Sequence, residues 1–152
     1  MIVKEVMRAP AATCASDGDL GTVVKAMREH HCGFLPVVDT HGIVVGVVTD
    51  RDVCLAADTV HRPLNRISVK ETMSHPVTSC FPDENLKVVL GTMARHRVRR
   101  LPVLDRSGHL LGVMSIDDIV QAPARRGAPT AEEIVAALKG ICTPPVAEVA
   151  TA

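Results

Sequence analysis

The chain contains one structural pattern twice, and this internal repeat constrains its fold more than any other feature. Residues 3–57 align with residues 69–123 without a gap, each residue meeting the one 66 positions later. Identical residues recur at prolines, turn glycines and apolar positions, among them Pro10/Pro76, Leu20/Leu86, Met27/Met93 and Gly42/Gly108. Agreement at all three kinds of position indicates a duplicated structural unit rather than shared composition. The chain is therefore expected to fold as two similar units.

Each copy predicts a helix, two strands and a further helix. Apolar residues follow the i, i+3, i+4, i+7 spacing of a helix over residues 20–27 and again over residues 86–93. The segments FLPVVD and IVVGVVT, and later RLPVLD and LLGVMS, read as strand pairs joined by short turns that contain glycine. Valine-rich strands with little polar alternation favour helices packed against the sheet. Asp19 and Asn85 are the predicted helix N-caps, and Gly33 is the predicted C-terminal stop of the first helix.

These elements predict an α/β (α+β) fold of two units, each a small, mostly β-sheet flanked by two helices. Neither unit alone could bury its sheet, so the two are expected to pack with pseudo-twofold symmetry. The predicted boundaries are 1–60 for repeat 1, 61–72 for a linker and the first strand of repeat 2, and 73–123 for repeat 2. Residues 124–129 are a second linker, and residues 130–142 form a C-terminal helix that begins at the capping box of Thr130 and Glu133. Residues 143–152 are expected to be a disordered tail.

Composition argues against several classes of function. Lys+Arg and Asp+Glu are both 17, so no net charge draws the chain to nucleic acid or an anionic membrane. With two Phe and no Trp or Tyr, it lacks the aromatic platforms of single-strand binders. No apolar run approaches the roughly 18 residues of a membrane span, and the N-terminus lacks a secretory signal, so we expect a cytoplasmic protein. No nucleophile elbow, P-loop or dinucleotide-binding fingerprint is present, and we do not expect an enzyme.

Each copy ends its last strand with a hydroxyl and, three residues later, a carboxylate. These are Thr49 and Asp52 in GVVTDRDV, and Ser115 and Asp118 in GVMSIDDI. One interpretation is a helix N-cap with an acidic third residue, worth about 1 kcal/mol and requiring no ligand. The other is a ligand site, because the carboxyl ends of strands face the crevice where α/β sheets usually bind ligands. A carboxylate there could accept hydrogen bonds from the paired hydroxyls of a ribose.

The duplicated unit resembles the CBS domain, the cystathionine-β-synthase type regulatory module that occurs in tandem pairs. The resemblance runs from Val3 to about Pro123 and rests on VMRAP and TMSHPVTS, on GFLPVVD and RRLPVLD, and on GVVTDRD and GVMSIDD. It implies that the hydroxyl–carboxylate element holds the ribose of an adenosine nucleotide, while nearby segments enclose the base and basic groups meet phosphate. One implied site comprises Thr49, Asp52, Arg51, Phe34, Leu35, Ala12 and Thr13. The other comprises Ser115, Asp118, Arg99, Arg100, Leu101, Val77 and Thr78.

The two implied sites differ in charge. Arg51 lies between the anchors of the first and could meet phosphate, whereas the second has Asp117 at that position. The second site must then use Arg97, Arg99 or Arg100, bind a nucleoside-like ligand, or stay empty. The resemblance as a whole implies a regulatory, energy-sensing homodimer that binds AMP, ADP or ATP and changes shape or dimer contacts in response.

Two other functions remain open from the sequence. His30, His31 and Cys32 could serve a zinc- or redox-sensing protein, although adjacent residues on a helix point in different directions and chelate poorly. A purely structural dimerisation module is the other alternative. The five cysteines are an odd number without a C-x-x-C pair, so we expect reduced thiols, with Cys14 and Cys80 packed and Cys142 the most reactive.

Overall fold

Two α/β units of similar construction make up residues 1–144, the part of the chain that the computed structural model describes. Unit one contains β1 (Cys14–Ala15), α1 (Leu20–Glu29), β2 (Phe34–Val38), β3 (Val44–Thr49) and α2 (Asp50–Val60). A short helix, α3 (Val69–Thr72), precedes unit two, which contains α4 (Leu86–His96), β4 (Arg100–Leu104), β5 (Leu110–Ser115) and α5 (Ile116–Val120). The C-terminal helix, α6 (Ala131–Cys142), follows. The α/β prediction is confirmed, and the predicted tail lies, from residue 145 onwards, outside the described residues.

Strand pairing repeats from one unit to the other. In unit one β1 pairs in parallel with β2, and β2 pairs antiparallel with β3, so that Phe34 lies opposite Thr49. In unit two β4 pairs antiparallel with β5, so that Arg100 lies opposite Ser115. The first strand of each hairpin therefore starts beside the hydroxyl of the repeated motif, Thr49 in unit one and Ser115 in unit two.

Local side-chain signals set most helix ends. Asp19 accepts a hydrogen bond from the Thr22 amide at 3.0 Å, and Asn85 accepts one from the Lys87 amide at 2.9 Å, which confirms both N-caps. The Gly33 stop was wrong. Helix α1 ends at Glu29, and His31 takes the left-handed conformation (φ 51°) that closes it. Gly33 instead lies against the Asp50 carboxylate, which would have to move aside for a Cβ at this position.

The first residues of each copy pack into the core of the opposite unit. Val3 is fully buried among unit-two residues such as Leu86 and Leu101, and Met7 packs against the same cluster. Conversely, Ile67 and Val69 are fully buried in the unit-one core. We call residues 1–8 and 67–74 the exchanged segments. The strand predicted within 61–72 is absent there. The structure has a 3₁₀ turn at Leu64–Arg66 and α3 instead, because these residues close the core of unit one.

An aspartate closes each hairpin turn. Asp39 Oδ1 accepts hydrogen bonds from the amides of His41 (2.8 Å) and Ile43 (2.9 Å). Asp105 Oδ1 accepts them from the amides of Ser107 (2.8 Å) and His109 (2.9 Å). The amide hydrogen bonds, first those from Ile43 and His109, hold the pKa of each carboxyl below its usual value because they favour the ionised form.

These turns should make stability depend on pH in the acid range. A folded pKa below the unfolded value of about 3.9 gives stability that is complete above that value and is lost as the pH falls through the folded pKa. We expect the double variant Asp39→Asn/Asp105→Asn to lose less unfolding free energy than the wild type between pH 7 and pH 3. Urea unfolding at the two pH values measures this. Asp17→Asn, at an exposed carboxylate, is the control, and equal losses in wild type and double variant would contradict the assignment.

Candidate functional site

The repeated hydroxyl–carboxylate motif forms a capping box in both units. The Thr49 amide and hydroxyl both donate to Asp52 Oδ2, at 2.8 and 2.7 Å, and the Asp52 amide donates back to Thr49 Oγ1 at 3.2 Å. Ser115 and Asp118 repeat the arrangement with distances of 2.9, 2.5 and 3.1 Å. We call the two strand-to-helix junctions, residues 49–52 and 115–118, the first and second corners. The helix-cap interpretation is therefore correct for both corners. Each cap uses only Oδ2 of its aspartate, so the cap leaves Oδ1 free for another partner.

The two aspartates differ in what meets this second oxygen. Asp118 Oδ1 accepts a hydrogen bond from Arg8 Nε at 2.6 Å, within an ion pair whose side chains are 6% (Asp118) and 70% (Arg8) exposed. Asp52 Oδ1 accepts no hydrogen bond from any residue in the described range 1–144. A buried carboxylate is costly without a cation or donors, which explains why Asp118 is paired. The first residues of the chain thus supply a charge to the motif of the second copy.

A cavity of about 310 Å³ lies between the two units beside this ion pair. Unit two contributes Arg100, Val113, Ser115, Asp117 and Asp118 to its wall. The rest comes from the N-terminal segment and unit one: Arg8, residues 10–12 and residues 30–34. The volume is at the lower end of the range for small-molecule sites, about 300–1,000 Å³. Carboxylates, guanidinium groups and apolar surface therefore meet in one concave space.

The structure groups the predicted site residues differently from the sequence. Ala12 and Phe34, assigned to the first site, line this cavity together with Arg100, Ser115 and Asp118 of the second. Asp52 instead lines a separate depression of about 230 Å³, beside Leu55 and Glu71. The remaining predicted residues do not line the shared cavity: Thr13, Leu35, Thr49, Arg51, Val77, Thr78, Arg99 and Leu101. Leu35 and Leu101 are fully buried, and the expectation that the strand segments around them enclose a base stays a prediction.

The comparison with known families agrees with the duplicated architecture. The sequence matches the CBS domain family twice, over residues 3–58 and 69–125. The chain belongs to the CBS domain family. It is 32% identical over 117 residues to the CBS domain-containing protein YhcV of Bacillus subtilis, which covers 77% of this chain and 81% of that protein.

Two further similarities help to describe this CBS pair. Its structure resembles the CBS domain pair of protein MJ0100, solved in complex with 5-methylthioadenosine and S-adenosyl-L-methionine. The TM-score is 0.73 and the identity 26%, over 80% of this chain and 94% of that one. The 5'-AMP-activated protein kinase subunit gamma-3 of Bos taurus is 42% identical over 108 residues, which is 66% of this chain and 22% of that protein.

Sequence reasoning missed Arg8 in this CBS pair. Arg8 aligns with Ser74 in the second copy, so the two units carry different charges at one position of the repeat. This difference in charge was the sequence signal that could have pointed to Arg8. The sequence could not show which aspartate Arg8 reaches, because this depends on the exchange of N-terminal segments. The exchange brings Arg8 to Asp118 and not to Asp52, the aspartate of its own copy.

The cysteines and histidines of the CBS pair all lie within the described residues. Among residues 1–144, no group of three or more His, Cys, Asp or Glu side chains is arranged to hold a metal ion. Burial raises the pKa of the Cys14 thiol to about 11 and that of Cys80 to about 12. Both are neutral thiols at pH 7, as expected for packing residues, whereas Cys142 is exposed. None of the helices within residues 1–144 is both long and apolar enough to span a membrane.

Proposed function

We propose that this CBS pair is a regulatory module that binds an adenosine nucleotide (AMP, ADP or ATP) in the cavity between its units. The observation that carries the proposal is the buried Asp118 carboxylate, held at the end of a strand by its capping box and lining the cavity with Oδ1 outside the cap. Two guanidinium groups, of Arg8 and Arg100, line the same space.

Each part of the ligand has a matching surface. Asp118 Oδ1 can accept hydrogen bonds from the ribose hydroxyls, since an ionised carboxylate is an acceptor with several lone pairs. Pro10, Ala12 and Phe34 offer apolar surface for the flat base. Arg8 and Arg100 can pair with phosphate through charge-assisted hydrogen bonds. Asp117 lines the same cavity and opposes phosphate, so the two arginines must outweigh its charge where phosphate binds.

The relatives support an adenosine-containing ligand. Both compounds in the MJ0100 complex, 5-methylthioadenosine and S-adenosyl-L-methionine, contain adenosine, and the bovine gamma-3 subunit belongs to a kinase named for its activation by 5'-AMP. The adenosine part is common to all three. In this chain two guanidinium groups line the cavity, and they favour a phosphorylated ligand over a sulfonium compound.

Binding would act on the relation between the units. The cavity is formed by both units and by an exchanged segment, so a ligand can favour one arrangement of the two over another. The effect cannot exceed the ligand's differential affinity for the two arrangements, typically about 1–3 kcal/mol. Val24 and Leu55 are exposed apolar residues on α1 and α2, and they support a homodimer through which the change is transmitted.

Calorimetric titration with AMP, ADP and ATP tests the proposal. We expect Asp118→Ala to weaken nucleotide binding about tenfold or more, because a hydrogen bond to a charged group contributes about 1.5–3 kcal/mol. Asp52→Ala changes the equivalent residue in the other unit and should retain wild-type affinity. Sedimentation of the same samples with and without nucleotide reports the oligomeric state and any change in it.

Several results would contradict this assignment. Loss of binding in Asp52→Ala but not in Asp118→Ala would move the site to the other corner. No heat from any adenine nucleotide with the wild type would remove the proposed ligand. A response to zinc alone would favour metal sensing, and no response to any of these compounds would favour a purely structural dimerisation module.

A further inference from the structure

The backbone of Arg8 is fixed beside the strand that carries the second motif. The Arg8 amide donates to the Val113 carbonyl, and the Val113 amide donates to the Arg8 carbonyl, both at 3.0 Å. Ser74 and Val47 repeat this pair in the other unit, at 2.8 and 3.1 Å. Positions 8 and 74 therefore occupy the same place relative to their strands. From this position a guanidinium reaches Asp118 in unit two, whereas the equivalent residue for unit one is a serine, whose side chain makes no hydrogen bond to Asp52 within residues 1–144.

Arg8 occupies the oxygen that the proposed ligand needs. Ser115 already uses Asp118 Oδ2 through its amide and hydroxyl, and Arg8 Nε uses Oδ1 at 2.6 Å. A ribose can reach a free carboxylate oxygen only if Arg8 gives up or shares this position. The equivalent oxygen of Asp52 accepts no hydrogen bond within residues 1–144, so this competition belongs to the second corner.

The Arg8 side chain can leave Asp118 once ribose hydroxyls take its place as hydrogen-bond donors. The Arg8 side chain is 70% exposed, and the only hydrogen bond that this side chain makes within the described residues is the one to Asp118. An Asp118 carboxylate left without any donor would be costly because it is buried, so the departure of Arg8 requires the ligand. The backbone hydrogen bonds to Val113 hold the residue at the cavity while the guanidinium turns. A guanidinium also pairs with phosphate in a planar, two-point geometry.

We propose that Arg8 is the phosphate-anchoring cation of the cavity, held by Asp118 while the cavity is empty and transferred to the ligand phosphate when ribose occupies Asp118. The proposal rests on the proposed function and adds a basis for selectivity. A nucleotide replaces the ion pair that it breaks with a new one. A nucleoside breaks the same pair and leaves the guanidinium without an anion. The cavity should therefore discriminate against unphosphorylated adenosine.

Calorimetric titration of AMP and adenosine into the wild type, Arg8→Ala and Arg8→Lys tests this selectivity. We expect Arg8→Ala to weaken AMP binding about tenfold, the effect of losing one charge-assisted interaction. Adenosine should bind Arg8→Ala as tightly as the wild type or more tightly, since no ion pair has to be broken. The AMP-to-adenosine affinity ratio should fall in Arg8→Ala and be largely retained in Arg8→Lys, which keeps the charge. Ser74→Ala, at the equivalent position, should leave the ratio unchanged.

Other outcomes identify which claim fails. Equal weakening of AMP and adenosine by Arg8→Ala would give Arg8 only a structural role. Tighter binding of both ligands would make it a plain competitor for Asp118. Either result overturns the transfer of Arg8 to phosphate while leaving the proposed function intact. A wild type that binds neither ligand would overturn the proposed function itself, and with it this proposal. Melting temperatures of all variants, measured without ligand, separate these effects from loss of folding.

Discussion

Replacing Leu101 with alanine is expected to lower the free energy of unfolding by about 3 kcal/mol, within the range of about 2–5 found for buried leucines. Leu101 lies in the middle of the unit-two core and is fully buried, with Met93 and Met114 in the same cluster. The lost contacts and the remaining cavity both contribute. Leu35 is its counterpart in unit one, equally buried, so Leu35→Ala should have a similar cost. Val88→Ala, at a residue that is 58% exposed, is the control and should change stability little.

The same variants test how the two units are coupled. Val3 of the first copy is fully buried in unit two, and Ile67, next to the second copy, is fully buried in unit one. Unfolding of either core therefore removes packing from the other, and we expect one cooperative transition that moves as a whole. Urea denaturation followed by circular dichroism, together with calorimetry, measures the shift and the number of transitions. Two transitions, with only one moved by Leu101→Ala, would contradict the coupling.

Gly112→Ala is expected to destabilise the protein by about 2 kcal/mol, as overpacking usually costs about 1–3 kcal/mol. A Cβ at this position would lie 2.5 Å from the Arg8 carbonyl oxygen. That oxygen belongs to backbone fixed by its hydrogen bond from Val113, so it cannot move aside cheaply. The exchanged segment would have to shift, and Arg8 with it. The variant should therefore weaken AMP binding as well as stability.

Gly91→Ala is the matched control for this substitution. Gly91 lies within helix α4, and a Cβ there would meet nothing within 4 Å. Alanine is favoured over glycine in a helix interior by about 1 kcal/mol, so this variant should be as stable as the wild type or more stable. Thermal and urea unfolding of both variants give the comparison. A Gly112→Ala protein as stable as Gly91→Ala would mean that the segment of residues 1–8 does not lie against β5.

The sequence was sufficient for features set by nearby residues. The repeat, the apolar spacing and the Val-rich runs predicted the strands and the main helices. The caps at Asp19, Asn85 and Thr130 also follow from short-range chemistry, because a side chain bonds an amide two or three residues away. The same holds for the capping boxes at Thr49 and Ser115.

Features set by contacts between distant residues could not be predicted. An ungapped repeat shows that two segments are equivalent, but not which core each one enters, so the exchange of Val3 and Val69 was missed. The distances around Asp118 depend on that exchange, because Arg8 lies 110 residues away in the chain. From the sequence, phosphate binding was expected at the first corner because of Arg51 alone. That residue is exposed and does not line the shared cavity, whereas Arg8 supplies a cation at the second corner.

The exchange of N-terminal segments also sets the smallest piece of this chain that can be moved between proteins. A fragment ending near residue 60 would retain Val3 without the core that buries it and would lack Ile67 and Val69, which complete its own. The fragment from about residue 61 onwards would retain Ile67 and Val69 without the core that buries them, and would lack Val3, which completes its own core. Gene fusion or recombination that separates the copies would thus give two incomplete products. The pair, and not the single repeat, is the modular unit on which selection and protein engineering can act.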